Sequence, residues 1–166
     1  MTTYHQRIYG VLFGMVRNAE DAKELAQQAW IKAWNKLDTF KGDSDFYTWV
    51  YRIATFTGLD FLRKRKRLQE TELLDAVEPA RRVDSHLPPS VTSRPDHMAQ
   101  KSEVREVFEA SLAKLSPEHR TALVLREVEG MSYDEIAEVM KCRKGTVMSR
   151  IFYARKSIQE DMKDLI

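Results

Sequence analysis

Apolar residues recur at helical spacing in a short segment near the C-terminal end of the chain. Tyr133, Ile136, Ala137 and Met140 lie at positions i, i+3, i+4 and i+7, which predicts one buried face of a helix. The helix is predicted to begin at Ser132, because Ser followed three residues later by Glu is the sequence of a capping box. The apolar pattern stops after Met140, which indicates a turn.

A second helix is predicted to start between Lys144 and Thr146. Its inner face is apolar at spacings of four, three and four residues: Val147, Ile151, Ala154 and Ile158. Six basic and no acidic residues lie between Lys141 and Lys156, in a chain whose net charge is +2. The segment from 130 to 156 thus predicts a helix-turn-helix whose second helix suits the major groove of DNA. An ordinary helical hairpin with a solvated basic face has the same pattern, so this segment alone leaves both interpretations open.

Two helices are predicted before residue 40. The first spans Tyr4 to Arg17, and the second runs from an N-cap at Asn18 to about Leu37. The apolar face of the first helix consists of Ile8, Val11, Leu12, Met15 and Val16, and that of the second of Ala22, Leu25, Ala26, Ala29, Ala33 and Leu37. Trp30, Ile31 and Trp34 widen the second face, which predicts either a surface for a partner or additional core.

A third helix is predicted to begin after Ser44 or Asp45 and to end in five consecutive basic residues, Arg63 to Arg67. Its inner face contains Phe46, Trp49, Val50, Ile53 and Thr57, whereas Tyr47, Tyr51 and Phe56 lie off that face. Exposed aromatics near a cationic run favour single-stranded nucleic acid, because bases stack on the rings while cations neutralise phosphates. A core-filling helix with a solvated basic end remains the alternative.

The fold class predicted is all-α, with two small helical modules joined by a flexible linker. Residues 1–67 form the first module, 68–95 the linker and 96–166 the second module. The linker is inferred from four of the five prolines, which lie between residues 79 and 95 among Ser, Thr and acidic residues. The second module is predicted to contain a helix ending near Lys114, then a helix capped by Ser116 that runs on to Gly130.

Composition excludes several classes of protein. No apolar run approaches the roughly 20 residues that span a bilayer, and the N-terminus resembles no secretory signal, so a cytoplasmic protein without membrane insertion is expected. The four His residues and the single Cys142 are not spaced like metal ligands, and no catalytic constellation is visible. We therefore expect no cofactor, no metal, no small-molecule substrate and no enzymatic activity.

Two segments carry a family resemblance. Asp21 to Ala54 resembles region 2, and Leu115 to Ile158 resembles region 4, of bacterial RNA polymerase sigma factors of the sigma-70 family, extracytoplasmic-function group, sigma-E-like. The resemblance implies a non-catalytic subunit that directs core RNA polymerase to specific promoters. It also implies an anti-sigma factor as partner and a role in a stress or envelope response.

Three sets of site residues follow from the patterns and the resemblance. The minus-35 set, on the last helix, is expected to read promoter DNA in the major groove: Lys144, Thr146, Met148, Ser149, Arg150, Phe152, Tyr153, Arg155 and Lys156. The minus-10 set is expected to melt and hold the minus-10 element: Tyr47, Trp49, Tyr51, Arg52, Phe56, Arg63, Lys64, Arg65, Lys66 and Arg67. The polymerase set is expected to bind core RNA polymerase: Asp21, Glu24, Gln27, Gln28, Trp30 and Ile31.

The chain departs from the family pattern at a few of these positions. Sigma-E-like relatives often have Arg where this chain has Met148 and Tyr153, and Arg is the commonest bidentate partner of guanine. The preferred minus-35 sequence is therefore expected to differ. Relatives also commonly have Glu in place of Gln28 and Asn in place of Phe56.

Two other functions are consistent with parts of the pattern. A stand-alone helix-turn-helix regulator would bind duplex DNA tightly without polymerase. An all-helical adaptor would use the Trp30 and Trp34 face and bind no nucleic acid.

Overall fold

The computed structural model describes residues 2–75 and 95–163, which form seven α-helices and no strand. The first module contains α1 (Thr2–Val16), α2 (Ala19–Asn35) and α3 (Phe46–Asp75). The second contains α4 (Pro95–Lys114), α5 (Pro117–Glu127), α6 (Tyr133–Met140) and α7 (Lys144–Met162). No helix in these two ranges is both long and apolar enough to cross a bilayer. The all-α fold class is confirmed, and most of the predicted linker, residues 76–94, lies outside the described residues.

The helices of the first module begin where the cap residues predict. The Asn18 side chain accepts a hydrogen bond from the Asp21 amide at 3.0 Å, which satisfies one of the orphan donors of α2. The Asp45 carboxylate accepts from the Tyr47 amide at 3.2 Å at the start of α3. The predicted inner faces of α1 and α2 are buried, except for Leu37. The small residues of α2 allow α1 and α3 to pack closely against it.

Three local predictions are wrong. Leu37 lies beyond the end of α2, in a 3₁₀ turn from Leu37–Thr39, and is exposed. The helix capped by Ser116 was predicted to run on to Gly130, but α5 ends at Glu127 and the next residue, Val128, is exposed. The third helix continues past Arg67 to Asp75 because no Gly or Pro interrupts it before Pro79, and a Lys66–Glu70 ion pair supports the added turns.

The two modules pack against each other through α1 and α5. A Cβ atom added to Gly14 would lie 2.9 Å from both γ-methyl carbons of Val124, so only glycine allows this approach. Arg120 of α5 is buried and donates a 2.9 Å hydrogen bond to the Met15 carbonyl at the end of α1. Its guanidinium also donates to Leu115, and burial lowers the pKa of Arg120. One continuous core therefore extends through both modules.

Candidate nucleic-acid interface

The helix-turn-helix is closed by local hydrogen bonds at both ends of α6. The Ser132 hydroxyl accepts from the Glu135 amide at 3.2 Å, and the Glu135 carboxylate accepts from the Ser132 amide at 2.7 Å. These bonds confirm the capping box, and they lower the pKa of Glu135. At the other end Lys141 adopts a left-handed conformation with φ of 49°, and the Cys142 amide bonds to the Ala137 carbonyl. The short turn directs the chain straight into α7.

The minus-35 set lies together along α7. Val147, Ile151, Ala154 and Ile158 are buried, as predicted, and this orients the opposite side of the helix toward solvent. Met148, Phe152 and Tyr153 are between 50% and 61% exposed, and the two rings contact edge to face at 5.4 Å. Thr146 and Arg150 are half-buried, whereas the remaining members of the set are exposed. The outer face of α7 therefore combines a small apolar patch with polar and cationic groups.

Two cations of this face, Arg155 and Lys144, have acidic partners on other helices of the same module. Arg155 donates to Glu127 at 2.5 and 3.2 Å, and this hydrogen bonding raises the pKa of Arg155. Lys144 lies 2.8 Å from the Asp134 carboxylate. Both pairs are exposed, and such pairs contribute little stability. Each cation can therefore exchange its carboxylate for a phosphate without a large cost.

Cys142 lies in the turn between α6 and α7. Its Sγ is 3.7 Å from Nη1 of Arg150, and its side chain is half-buried. In the described part of the chain, no group of three or more His, Cys, Asp or Glu side chains is placed to hold a metal ion.

The aromatic members of the minus-10 set occupy the start of α3. The Tyr47 ring stacks on Tyr4 at 3.6 Å, and a hydrogen bond with Tyr4 raises the pKa of Tyr47 to about 12. Trp49 lies 5.4 Å from Phe40 and 5.8 Å from Phe46, measured between ring centroids. The loop before α3 and its first turns thus form an aromatic cluster at one end of the first module.

Tyr51 was expected to be exposed, and the structure contradicts this. Its side chain is buried at 3% exposure, and its hydroxyl donates a 2.5 Å hydrogen bond to the Glu129 carboxylate of the second module. Burial, then this hydrogen bond, raises the pKa of Tyr51. The neighbouring Arg52 also contacts the second module, through Glu138. The helical pattern could not predict this hydrogen bond, because its acceptor belongs to the other module.

The basic run of the minus-10 set lies in the middle of α3 and not at its end. Favourable interaction with the dipole at a helix C-terminus therefore does not explain the basic run. This weakens the alternative interpretation, in which the run is only the solvated basic end of a core helix. Among the described residues, three of the five cations have acidic partners: Arg63 with Asp60 and Glu118, Arg65 with Asp21, and Lys66 with Glu70. Phe56, earlier on the same helix, is half-buried beneath the Lys141 ammonium.

The polymerase set lies along α2. Glu24, Gln27, Gln28 and Ile31 are exposed, and Gln28 donates to Glu24 at 2.9 Å. Asp21 and Trp30 are both half-buried. The Trp30 indole is therefore neither a fully buried core residue nor a fully exposed one. A shallow groove on this side is lined by members of the set together with three further residues, His5, Lys23 and Trp34.

Trp34 is the large apolar residue among the three groove residues that the polymerase set lacks. Its side chain is 76% exposed, although it is among the largest apolar groups of the chain. Its position one turn after Trp30, outside the small-residue stripe of α2, is the signal in the sequence that identifies it.

Comparison with known proteins identifies both modules. The description "Sigma-70 region 2" matches residues 1–68, and "Sigma-70, region 4" matches residues 105–158. The chain is 38% identical over 163 residues to the RNA polymerase sigma-H factor of Pseudomonas aeruginosa, covering 98% of this chain and 84% of that protein. It is 40% identical over 146 residues to the ECF RNA polymerase sigma-E factor of Escherichia coli K12, covering 88% and 76%.

Solved structures resemble the whole arrangement. The sigma factor RpoE of Bartonella quintana, in complex with the anti-sigma factor NepR, superimposes with a TM-score of 0.72 at 25% identity, over 98% of this chain and 93% of that one. CnrH, in complex with the cytosolic domain of CnrY, superimposes with a TM-score of 0.66 at 20% identity, over 98% and 84%, which shows a shared fold.

Proposed function

Because this chain belongs to the sigma-70 family of RNA polymerase sigma factors, in the extracytoplasmic-function group, we propose that its three residue sets divide the work of promoter recognition. Sigma factors are non-enzymatic subunits that direct core RNA polymerase to promoters, so the chain acts in transcription initiation and catalyses no reaction itself. It works where the polymerase works, in the cytoplasm.

The outer face of α7 reads the minus-35 element. The observation that carries this assignment is the combination of a capped helix-turn-helix with an outward face that is apolar in its centre and cationic along its length. Cations that pair with exposed carboxylates can transfer to phosphates, and such contacts would hold the helix in the groove. Met148, Ser149 and Phe152 then lie in position to contact base edges.

The first module provides the other two surfaces. The aromatic cluster at the start of α3 and the basic run farther along the same helix hold the melted minus-10 strand, since stacking offsets the cost of unstacking bases. The exposed face of α2 docks on core polymerase, with the groove around Trp30 and Ile31 at its centre.

An anti-sigma factor regulates this activity. RpoE of Bartonella quintana, which superimposes on this chain with a TM-score of 0.72 at 25% identity, was solved in complex with the anti-sigma factor NepR. We extend that partnership to this chain, in a stress or envelope response.

Reconstituted transcription tests the proposal. The purified chain is combined with core polymerase from Pseudomonas aeruginosa, whose sigma-H factor is 38% identical, and is supplied with a pool of genomic fragments. Transcripts that start at a defined set of sites, and only when the chain is present, are expected. Absence of any promoter-specific transcript, with a working control sigma factor, would refute the proposal.

A gel shift with the free chain separates the two alternatives. A stand-alone regulator would retard duplex DNA tightly without polymerase, whereas an adaptor would bind no nucleic acid in either condition. A sigma factor is expected to form a salt-sensitive promoter complex only together with core polymerase.

A further inference from the structure

Three large apolar side chains lie together on the outer face of α7, and they form what is here called the α7 apolar patch. Met148, Phe152 and Tyr153 are 50%, 61% and 58% exposed, and the two rings contact each other edge to face, with 5.4 Å between their centroids. Met148 and Phe152 are four residues apart, so they are neighbours on one side of the helix. The core takes Val147 and Ile151 from the opposite side, which leaves the patch to solvent.

The charge around the patch favours duplex DNA over an apolar protein partner. Six basic and no acidic residues lie between Lys141 and Lys156, and such a concentration of cations suits a polyanion. The two arginines beside the patch have other contacts. Nη1 of Arg150 lies 3.7 Å from Sγ of Cys142, and Arg155 donates to Glu127. Apolar groups and not a guanidinium fork therefore occupy the centre of this face.

The major groove of ordinary DNA displays one apolar group that such a patch can contact. This group is the C5-methyl group of thymine, whereas cytosine, adenine and guanine present donors and acceptors there. Cytosine gains the same methyl group, at the same ring position, when it is methylated at C5. Burial of one such group strengthens a contact by a factor of about four. The α7 apolar patch is therefore suited to any pyrimidine that carries a C5-methyl group.

Ser149 adds a polar criterion beside the patch. Its side chain is exposed, three residues before Phe152 and four before Tyr153, so it borders both rings on the helix surface. The Ser149 hydroxyl donates to the Thr146 carbonyl at 3.0 Å, which leaves the lone pairs of its oxygen free to accept. In the major groove the amino groups of cytosine and adenine donate, whereas O4 of thymine accepts. Ser149 therefore favours a base that donates.

One base meets both criteria on a single edge, and that base is 5-methylcytosine. Its C5-methyl group fits the α7 apolar patch, and its neighbouring amino group can donate to the Ser149 hydroxyl. Thymine offers the methyl group beside an acceptor. Unmodified cytosine offers the amino group without the methyl group, so each of the two ordinary pyrimidines satisfies only one criterion.

We propose that the α7 apolar patch and Ser149 read the C5-methyl group of a pyrimidine in the minus-35 element, and that 5-methylcytosine binds there more tightly than cytosine. Methylation of a cytosine in this element then strengthens promoter recognition without a change in base sequence. This inference rests on the proposed function, because it needs the outer face of α7 to lie in the major groove of the minus-35 element.

Binding of the holoenzyme to two duplex libraries tests this inference. Both libraries have a randomised minus-35 element, and in one of them every cytosine of that element is 5-methylcytosine. Bound duplexes are separated by gel shift and sequenced. At the contacted position, cytosine is expected to be enriched about fourfold more strongly in the methylated library, the value of one buried methyl group. Equal enrichment in the two libraries at every position of the element overturns the proposal.

Four variants separate the two criteria, on single duplexes that differ only at the contacted base pair. Met148→Ala and Phe152→Ala are expected to lose most of the fourfold difference between cytosine and 5-methylcytosine. Ser149→Ala is expected to keep that difference but to bind thymine and 5-methylcytosine about equally. The control, Leu68→Ala, removes an exposed apolar side chain of α3 outside the three residue sets and should behave like the parent.

A merely structural role of the patch predicts a different result. Both Met148→Ala and Phe152→Ala would then weaken binding to the cytosine duplex and the 5-methylcytosine duplex by the same factor, and this outcome overturns the proposal. Circular dichroism melts establish that each variant is folded, which is expected because the exchanged side chains are exposed.

The two proposals can fail separately. If the holoenzyme starts transcripts at defined promoters while cytosine and 5-methylcytosine bind equally, the methyl reading is wrong and the sigma function stands. If no promoter-specific transcript forms, the sigma function fails and the methyl reading fails with it.

Discussion

Replacing Met148 by Arg is expected to change which minus-35 sequence the protein prefers while leaving its binding to core polymerase unchanged. Met148 lies in the second turn of α7, half exposed, on the outer face next to Ser149 and one turn before Phe152. Its side chain offers only apolar contact, which suits the methyl group of thymine. An Arg at this position offers the fork that binds guanine.

The general strength of Arg–guanine pairs sets the expected size of the effect. A bidentate Arg–guanine pair discriminates by about 1 to 3 kcal/mol, which is a factor of roughly 5 to 150 in relative affinity. The cost to the fold is small, because exchanges at exposed positions usually change the free energy of unfolding by less than about 0.5 kcal/mol. The shift in preference therefore exceeds any general loss of affinity.

The assay is selection by holoenzyme from a promoter library with a randomised minus-35 element, followed by sequencing of the transcripts. Met148→Arg is expected to enrich a guanine at a position where the parent does not. Met148→Leu, which keeps an apolar side chain of similar size, is expected to retain the preference of the parent. A loss that is equal on all sequences would refute the reasoning and would assign Met148 a structural role.

Removal of a single thymine methyl group from the promoter DNA provides a further check with the parent protein. If Met148 contacts a thymine, exchanging that thymine for deoxyuridine should weaken the complex by about 0.8 kcal/mol, or roughly fourfold, the value of one buried methylene. The Met148→Arg complex should be insensitive to the same exchange. An equal response of both proteins would exclude this contact.

The remaining predictions concern packing, capping and docking. Gly14→Ala should lower the free energy of unfolding by about 1 to 3 kcal/mol in denaturant titrations, because its Cβ would overlap the valine methyls of α5. Ser132→Ala should cost about 1 kcal/mol by loss of the N-cap. Folding lowers the pKa of Glu135, so its carboxylate stabilises the folded protein at pH values above the pKa of the unfolded chain. This stabilisation is lost as the pH falls through the lower pKa of the folded protein. The pH-dependent loss of stability should be smaller in Ser132→Ala. Trp34→Ala should weaken core polymerase binding by about 2 kcal/mol in fluorescence titrations without changing the melting temperature.

The glycine prediction has a control in the same chain, and the capping and docking predictions each have an outcome that would contradict them. Gly10→Ala places a Cβ where no atom lies within 4 Å, so it should be neutral or stabilising, and an equal loss in both glycine variants would contradict the packing argument. Unchanged stability of Ser132→Ala at neutral pH would show that the cap contributes nothing. A Trp34→Ala variant that binds polymerase like the parent would move the docking surface elsewhere.

Local patterns predicted the elements well for physical reasons that operate within a few residues. Asn18, Ser116 and Ser132 each cap a helix, because their side chains accept from the backbone amide three residues later. The inner face of α7 is buried at every predicted position, since residues three and four apart share one side of a helix. The errors at Leu37 and Val128 occurred where a helix ended earlier than its apolar pattern.

The sequence by itself determined the helices, their caps, the apolar faces and the basic outer face of α7. Each of these depends on neighbours along the chain. Tertiary structure alone decided which side chains the second module would cover. Tyr51 is placed off the inner face of α3 by its spacing, yet it is buried, and its hydroxyl donates to Glu129, 78 residues away in sequence. Contacts between residues so far apart follow from how the modules pack, and no local period records them.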